Sequence, residues 1–203
     1  MRQIPRATVA RLARYLQGVE ELAKRTVSSA EIASAVGVSA AQVRRDLSYL
    51  GHQGIRGVGY ETEHLLTALR RELGLVENVG VAIVGAGNLG QALAGYGGFE
   101  ERGFSVTAIY DIDAAKIGTS IHGHPVRHVD SLPADSEAFA IAIIATPAEA
   151  AGEVLHRLSA CGVRSVLNFA PAVLKGPPNV EVRNVDLSTE LQILSFYRSR
   201  NGS

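Results

Sequence analysis

The run Val79-Gly-Val-Ala-Ile-Val84 leads directly into Gly85-Ala86-Gly87-Asn88-Leu89-Gly90 and then an alanine-rich stretch. A β-branched strand, glycines spaced G-x-G-x-x-G and a helix in immediate succession predict a βαβ unit built around a pyrophosphate. Gly85 allows the tight turn, Gly87 lets phosphate approach the backbone, and Gly90 lets helix and strand pack closely. Unpaired N–H groups and the helix dipole then face the anion. The second predicted strand, 104–110, ends at Asp111, 21 residues after Gly90. A carboxylate there accepts from the adenosine ribose hydroxyls and repels a 2′-phosphate, so NAD(H) is expected over NADP(H).

Further β-branched runs at 138–145, 164–169 and 180–185 alternate with helical stretches, which predicts a doubly wound parallel sheet of the Rossmann type. Ligands of such sheets lie outside the carboxyl ends of the strands. Ala145-Thr146-Pro147 and Asn168-Phe169-Ala170-Pro171 follow two of those ends. Thr146, Pro147 and Asn168 are therefore candidate nicotinamide-side contacts, and ordinary strand-to-helix turn chemistry is the alternative for each. A dehydrogenase also needs a substrate region and a general acid or base beside the nicotinamide. About 125 residues follow the boundary expected near residue 77, with no Tyr-x-x-x-Lys pair and no other catalytic constellation. His122, His124 and His128 read as surface residues of one loop, and no metal site is expected. Cys161, the single cysteine, reads as an apolar filler.

Equal numbers of basic and acidic residues, 20 of each, hide an asymmetry. Residues 1–60 carry a net +5 and the remainder −5, as expected of a polyanion-binding module joined to a separate scaffold. Within the basic part a helix is predicted over 5–25, opened by Pro5. Ser28 with Glu31 forms a capping box that opens a second helix, Ser29–Val36, and Ser39 with Gln42 forms another that opens a third. Two helices around the short turn at Gly37-Val38 have helix-turn-helix spacing.

Val43, Leu47 and Leu50 make the inner stripe of the third helix. Its outer side carries Ala41, Arg45 and Ser48, flanked by Gln42, Arg44 and Tyr49, with Ser39 at its start. Arginine and glutamine pair bidentately with guanine and adenine edges, whereas a solvated face of a helical bundle is the plainer reading. The glycine-rich segment 51–60 reads as a wing hairpin with Arg56 near its tip, or as a flexible linker. A closing helix over 61–73 ends at Gly74.

The expected division is thus 1–77, winged helix-turn-helix; 78–186, Rossmann sheet; and 187–203, a C-terminal helix. That last helix is apolar on two sides (Leu187, Leu191 and Leu194; Ile193, Phe196 and Tyr197), which suits burial between two subunits or packing on its own sheet. Hydrophobic residues make up 46% and charged residues 20%, with no apolar run of 18 residues and no secretory leader. A soluble cytoplasmic protein without membrane attachment is expected.

The motifs Ala41-Gln-Val-Arg-Arg-Asp-Leu-Ser-Tyr49, Arg56-Gly-Val-Gly-Tyr60, Gly85-Ala-Gly-Asn-Leu-Gly90, Gly98-Phe-Glu-Glu-Arg-Gly103, Asn168-Phe-Ala-Pro171 and Asn184-Val-Asp-Leu-Ser188 resemble the bacterial redox-sensing transcriptional repressors of the Rex family. The resemblance spans nearly the whole chain. It implies a homodimer on double-stranded, inverted-repeat operator DNA that is released as the NADH/NAD⁺ ratio rises, with NADH sensed and not turned over. It also implies a C-terminal helix exchanged between subunits. Tyr96 resembles the family tyrosine that changes partners between states, Asp186 its acid, and Arg14 the basic residue that Asp186 of the other subunit reaches. The chain departs from the family in two places. Leu50-Gly-His-Gln-Gly54 lacks the wing aromatics of many relatives, and Arg45 stands where lysine is common. The alternatives are a small NAD-dependent oxidoreductase with a helical appendage, or a DNA-binding scaffold whose sheet serves only dimerisation.

Overall fold

The computed structural model describes residues 4–51, 54–55 and 57–201. They form two compact units, Met1–Glu77 and Asn78–Ser203. In the first unit the elements run α1 (Arg6–Leu22), β1 (Thr26–Val27), α2 (Ser29–Val36), α3 (Ala40–Ser48), β2 (Tyr60–Glu61) and α4 (Thr62–Glu72). Pro5 is the N-cap of α1 and not its first helical residue, and the helix stops at Leu22, where Ala23 adopts a left-handed conformation at φ +48°. Ser28 and Glu31 form the reciprocal capping box at the start of α2. At α3 only half of the expected box is present: Ser39 accepts from the Gln42 N–H, but the Gln42 amide turns to Asp46 instead of reaching back. A buried carboxylate is the stronger acceptor.

Leu12, Tyr15, Val19, Ile32, Val43, Leu47, Leu65 and Leu69 make one core beneath these helices. The wing region also differs from the expected hairpin. Ile55 bridges Gly59 across a tight turn, while Tyr60 leaves it to pair with Val27 in the two-residue ladder of β1 and β2. Two-residue strands carry no periodicity to read.

In the second unit the elements are β3 (Val79–Val84), α5 (Asn88–Ala94), β4 (Phe104–Asp111), β5 (Ser120–Ile121), β6 (His124–His128), α6 (Leu132–Asp135), β7 (Ile141–Ile144), α7 (Ala148–Ala160), β8 (Ser165–Asn168), β9 (Glu181–Asn184) and α8 (Leu187–Asn201). The sheet order is β5-β6-β4-β3-β7-β8-β9. Every pairing is parallel except β5 with β6. Without β5 this is the 3-2-1-4-5-6 order of dinucleotide-binding sheets, which reverses between its first and fourth strands, here β3 and β7. Side chains alternate across β3: Val81 and Ile83 belong to one apolar cluster, Ala82 and Val84 to the one on the other face, as a sheet buried on both sides requires.

The β5–β6 hairpin replaces the loop expected around the histidines. His124 and His128 begin and end β6, next to the edge strand β5, and His122 turns into it at φ +48°. Among the described residues no cluster of three or more metal-ligating side chains forms. Cys161 is half-buried against the larger core cluster.

Helix α8 does not pack on its own sheet. Leu187, Leu191 and Leu194 are 61–67% exposed, and Phe196 and Tyr197 are 50% and 57% exposed, so both apolar sides face outward. Among the described residues no helix is long and apolar enough to cross a membrane.

Candidate functional site

The three fingerprint glycines are held by three different constraints. Gly85 sits at φ +111°, and a Cβ there would lie 2.5 Å from the Ala145 carbonyl oxygen. Gly90 is buried, and a Cβ would collide with the Gly85 carbonyl. Gly87 has an ordinary φ of −82°, and a Cβ would meet nothing within 4 Å. It is the one position of the three left bare with no packing reason, as a backbone that receives a phosphate requires. Beside it the first turn of α5, from Asn88 through Gly90, leaves N–H groups without helical acceptors. Asn88 and Leu89 are exposed, and Ala86 is buried behind them.

Asp111 sits at the end of β4 as expected, but its carboxylate is already engaged. Oδ2 accepts from the Ala86 N–H at 2.8 Å and from Lys116 Nζ at 3.0 Å. Oδ1 accepts from the N–H groups of Ile112 and Asp113 at 2.8 and 2.9 Å. Burial alone would push this carboxyl up; the bonds from Asp113, Lys116 and Ala86 outweigh it and hold it below the ordinary carboxylate range. Asp111 therefore ties the fingerprint turn to the second strand. The neighbouring Asp113 is exposed, and its carboxylate lies 3.8 Å from Lys116. Sequence reasoning passed over Asp113 and Lys116. The signal available was a second acid two residues beyond the first and a lysine one helical turn on.

A cavity of about 560 Å³ opens at the carboxyl ends of β3 and β7, where the strand order reverses. Gly87, Leu89, Asp113, Lys116, Thr146 and Phe169 are among its lining residues. Thr146 Oγ1 is buried there without a hydrogen-bond partner among the described residues. An orphaned hydroxyl costs free energy unless something supplies the missing bond. Pro147, also lining, is the N-cap of α7. The turn after β8 divides its roles. Asn168 is fully buried, donating to Ala172 O at 2.7 Å and Asn184 Oδ1 at 2.9 Å and accepting from the Ala170 N–H at 3.0 Å. Phe169 and Pro171, and not Asn168, line the cavity.

In the first unit, Arg44, Arg45 and Ser48 are exposed on α3 and Tyr49 is half-buried just after it. The Arg44 guanidinium donates to Ser29 Oγ at 2.9 Å. Arg45 has no side-chain bond among the described residues. A groove of about 540 Å³ runs between the start of α2, Arg44 and Ser48 of α3, and the turn at Ile55–Gly59. Arg56 lies outside the described residues. Gln42 is half-buried with its amide on Asp46, whose carboxylate is bound in turn by Thr8, Arg11 and Tyr15 of α1. Burial would raise Asp46; the bonds from Arg11, Tyr15, Gln42 and Thr8 outweigh that, and its pKa falls below the ordinary value. Burial and the bond to Asp46 push Tyr15 up to about 12.

A carboxyl whose folded pKa is depressed contributes stability that is present above its unfolded pKa and lost as pH falls through the folded value. Wild type should therefore melt above an Asp46→Asn variant at neutral pH. The gap should close below about pH 4, where the unfolded carboxyl protonates. Melts followed by circular dichroism between pH 2 and 7 check this; a gap independent of pH would contradict it.

Of the three residues matched to the family switch, Arg14 is exposed on α1 and donates to the carbonyl of Val36, the last residue of α2. Tyr96 is 53% exposed just past α5, edge-on to Phe99 at 5.1 Å between ring centroids. Asp186 caps α8, accepting from the Ser188 N–H at 2.9 Å and Thr189 Oγ1 at 3.0 Å.

A helix-turn-helix unit with an arginine-bearing third helix, in one chain with a sheet that opens a dinucleotide-type cavity at its reversal point, defines a nucleotide-responsive DNA-binding regulator. Residues 76–172 match the CoA binding domain family, and residues 3–48 match a family of putative DNA-binding protein N-termini. The chain is 54% identical to the redox-sensing transcriptional repressor Rex of Streptomyces avermitilis, over 98% of this chain and 81% of that protein. It is 47% identical to Rex of Desulfitobacterium hafniense, over 96% and 95%. The chain belongs to the Rex family of redox-sensing transcriptional repressors. Among solved structures, RSP, a Rex-family repressor, is 34% identical and covers the whole chain; its complex with β-NAD⁺ and operator DNA matches at a TM-score of 0.90 and its complex with β-NADH at 0.85.

Proposed function

We propose that this protein is a transcriptional repressor that occupies inverted-repeat operator DNA when NADH is scarce and leaves it when NADH binds, without consuming the nucleotide. The observation that carries the reading is the cavity at the strand reversal, bounded by the bare backbone of Gly87 and the unpartnered Thr146 hydroxyl. That RSP was solved both with β-NAD⁺ and operator DNA and with β-NADH supports it.

In this reading Gly85 to Gly90 hold the pyrophosphate. Asp111 braces that turn, Asp113 and Lys116 face the adenosine ribose, and Thr146, Pro147 and Phe169 lie toward the nicotinamide. Two carboxylates at the ribose end favour a 2′-hydroxyl over a 2′-phosphate. Arg44, Arg45 and Ser48 of α3, with Ser39, Tyr49 and the wing residue Arg56, face the DNA. The functional unit is a cytoplasmic homodimer in which the partner covers the two apolar sides of α8, because so much exposed apolar surface on one helix is costly in water. Arg14, Tyr96 and Asp186 then exchange partners as the dimer moves. NADH need only bind the released arrangement more tightly than the DNA-bound one; a tenfold preference is about 1.4 kcal/mol per site.

The test is fluorescence anisotropy of a labelled inverted-repeat duplex titrated with NADH, NAD⁺ and NADPH at one salt concentration, since phosphate contacts make affinity salt-dependent. Release is expected with NADH at concentrations where NAD⁺ and NADPH do little. DNA binding indifferent to all three would refute the sensor, and steady NADH oxidation would refute the absence of turnover.

A further inference from the structure

Asp46 lies on α3 directly after Arg44 and Arg45, yet its side chain is only 1% exposed. Its two oxygens take five hydrogen bonds: Thr8 Oγ1 at 3.1 Å, Arg11 Nε at 2.6 Å, Arg11 Nη2 at 2.9 Å, Tyr15 OH at 2.8 Å and Gln42 Nε2 at 2.9 Å. Thr8, Arg11 and Tyr15 share one face of α1 by their spacing of three and four residues, so the network joins α3 to α1 at one point. Stability alone does not account for it. Val43 and Leu47 are fully buried on the same side of α3, and replacing a buried ion pair by apolar groups is often neutral or stabilising.

The directional bonds do what apolar contact does not. Packed Val and Leu side chains resist separation of two helices but tolerate a small roll, whereas the four bonds from Thr8, Arg11 and Tyr15 of α1 to one carboxylate define the roll angle. The same carboxylate orients Gln42. A carboxylate only accepts, so Gln42 must turn its NH₂ group toward Asp46, leaving Oε1 as the end free of that bond. Gln42 stands in the N-terminal turn of α3, the part of a recognition helix that reaches base edges. An amide oxygen accepts from adenine N6 or cytosine N4 and not from the acceptors of guanine or thymine.

We infer that Asp46 is a positioning residue for sequence readout: it fixes the roll of α3 on α1 and the orientation of the Gln42 amide, and so sets which base pairs are preferred. It has little part in the overall hold on DNA, because attraction of the exposed arginines to phosphate is sequence-independent. The inference rests on the reading of α3 as the recognition helix.

The full-length protein, free of nucleotide, first selects a preferred duplex from a pool with a randomised core. Dissociation constants are then measured for that duplex and for a scrambled one, over a range of salt. Asp46→Asn is expected to lower the ratio of the scrambled-duplex constant to the preferred-duplex constant about tenfold, within the discrimination carried by one base pair. The scrambled-duplex affinity and its salt slope should stay as in wild type. The double variant Thr8→Val/Tyr15→Phe removes two donors on α1 while keeping the ion pair, and should lower the ratio about threefold. Should Asp46→Asn lose its helical circular dichroism, the double variant decides. An unchanged ratio, or equal loss on both duplexes, overturns the positioning role. An Arg45→Ala variant that binds both duplexes like wild type overturns the recognition-helix reading itself. Dependence on Arg45 with an unchanged ratio in Asp46→Asn overturns the positioning role alone.

Discussion

Asp111→Ala is expected to weaken NADH binding about 100-fold, because it removes the acceptor of a buried N–H, at about 1–3 kcal/mol, together with the partner of Lys116. The Ala86 N–H points into a fully buried position and has the Asp111 carboxylate as its acceptor. Without it the fingerprint turn keeps the bond from the Gly85 N–H to the Tyr110 carbonyl but loses its side-chain brace to the end of β4, and the thermal midpoint should fall with the affinity. Asp113→Ala separates this bracing from direct contact. Asp113 is exposed, so its loss should cost about tenfold or less in affinity and leave the midpoint unchanged. Calorimetric titration with NADH and a melt of each variant give both quantities. Ligand-free DNA binding should survive both changes, since the residues assigned to DNA lie within Met1–Glu77. Wild-type NADH affinity in Asp111→Ala would remove the bracing role, and collapse of ligand-free DNA binding would remove the division of labour.

Gly87→Val and Gly90→Ala should fail for opposite reasons. At Gly87 the backbone is ordinary for any residue and an added Cβ meets no neighbour within 4 Å. The variant should fold and melt within a few degrees of wild type yet lose NADH about 100-fold or more, as its side chain fills the space kept for the pyrophosphate. At Gly90 the added methyl has no room against the Gly85 carbonyl, so even alanine should lower stability by about 1–3 kcal/mol through forced backbone movement. A melt and an NADH titration on each variant distinguish the two. A Gly87→Val protein that still binds NADH tightly would show that the nucleotide does not approach this backbone, and the cavity would need another ligand.

The strand, glycine turn and helix from Val79 through Ala94 were legible because each constraint acts within a few residues: a left-handed φ at Gly85, a contact one turn away at Gly90, a strand with no polar side chains. The Ser28–Glu31 capping box was legible for the same reason. The β5–β6 hairpin was not, since Ser120 through His128 include three histidines, a glycine and a proline and no alternating apolar pattern. The pairing of Thr26 with Glu61 was equally invisible, because a two-residue strand is specified by its partner across the fold.

The two modules, the dinucleotide fingerprint and the arginine-bearing face of α3 are readable from the residues alone, because they follow from local conformation and helical or strand period. What the key polar groups do depends on the partners that folding brings to them. The carboxylate expected to meet the ribose binds an N–H 25 residues away, the glutamine expected at bases is held by Asp46, and Asp46 is held by residues 31 to 38 positions earlier. Asn168 is committed to its own turn while Phe169 lines the cavity. The physical reason is common to all four. A buried polar group must find a partner, spacing along the chain does not say which of the donors and acceptors, near or distant in sequence, the fold brings within about 3 Å of it, and that choice separates a residue that contacts a ligand from one that holds the contact in place.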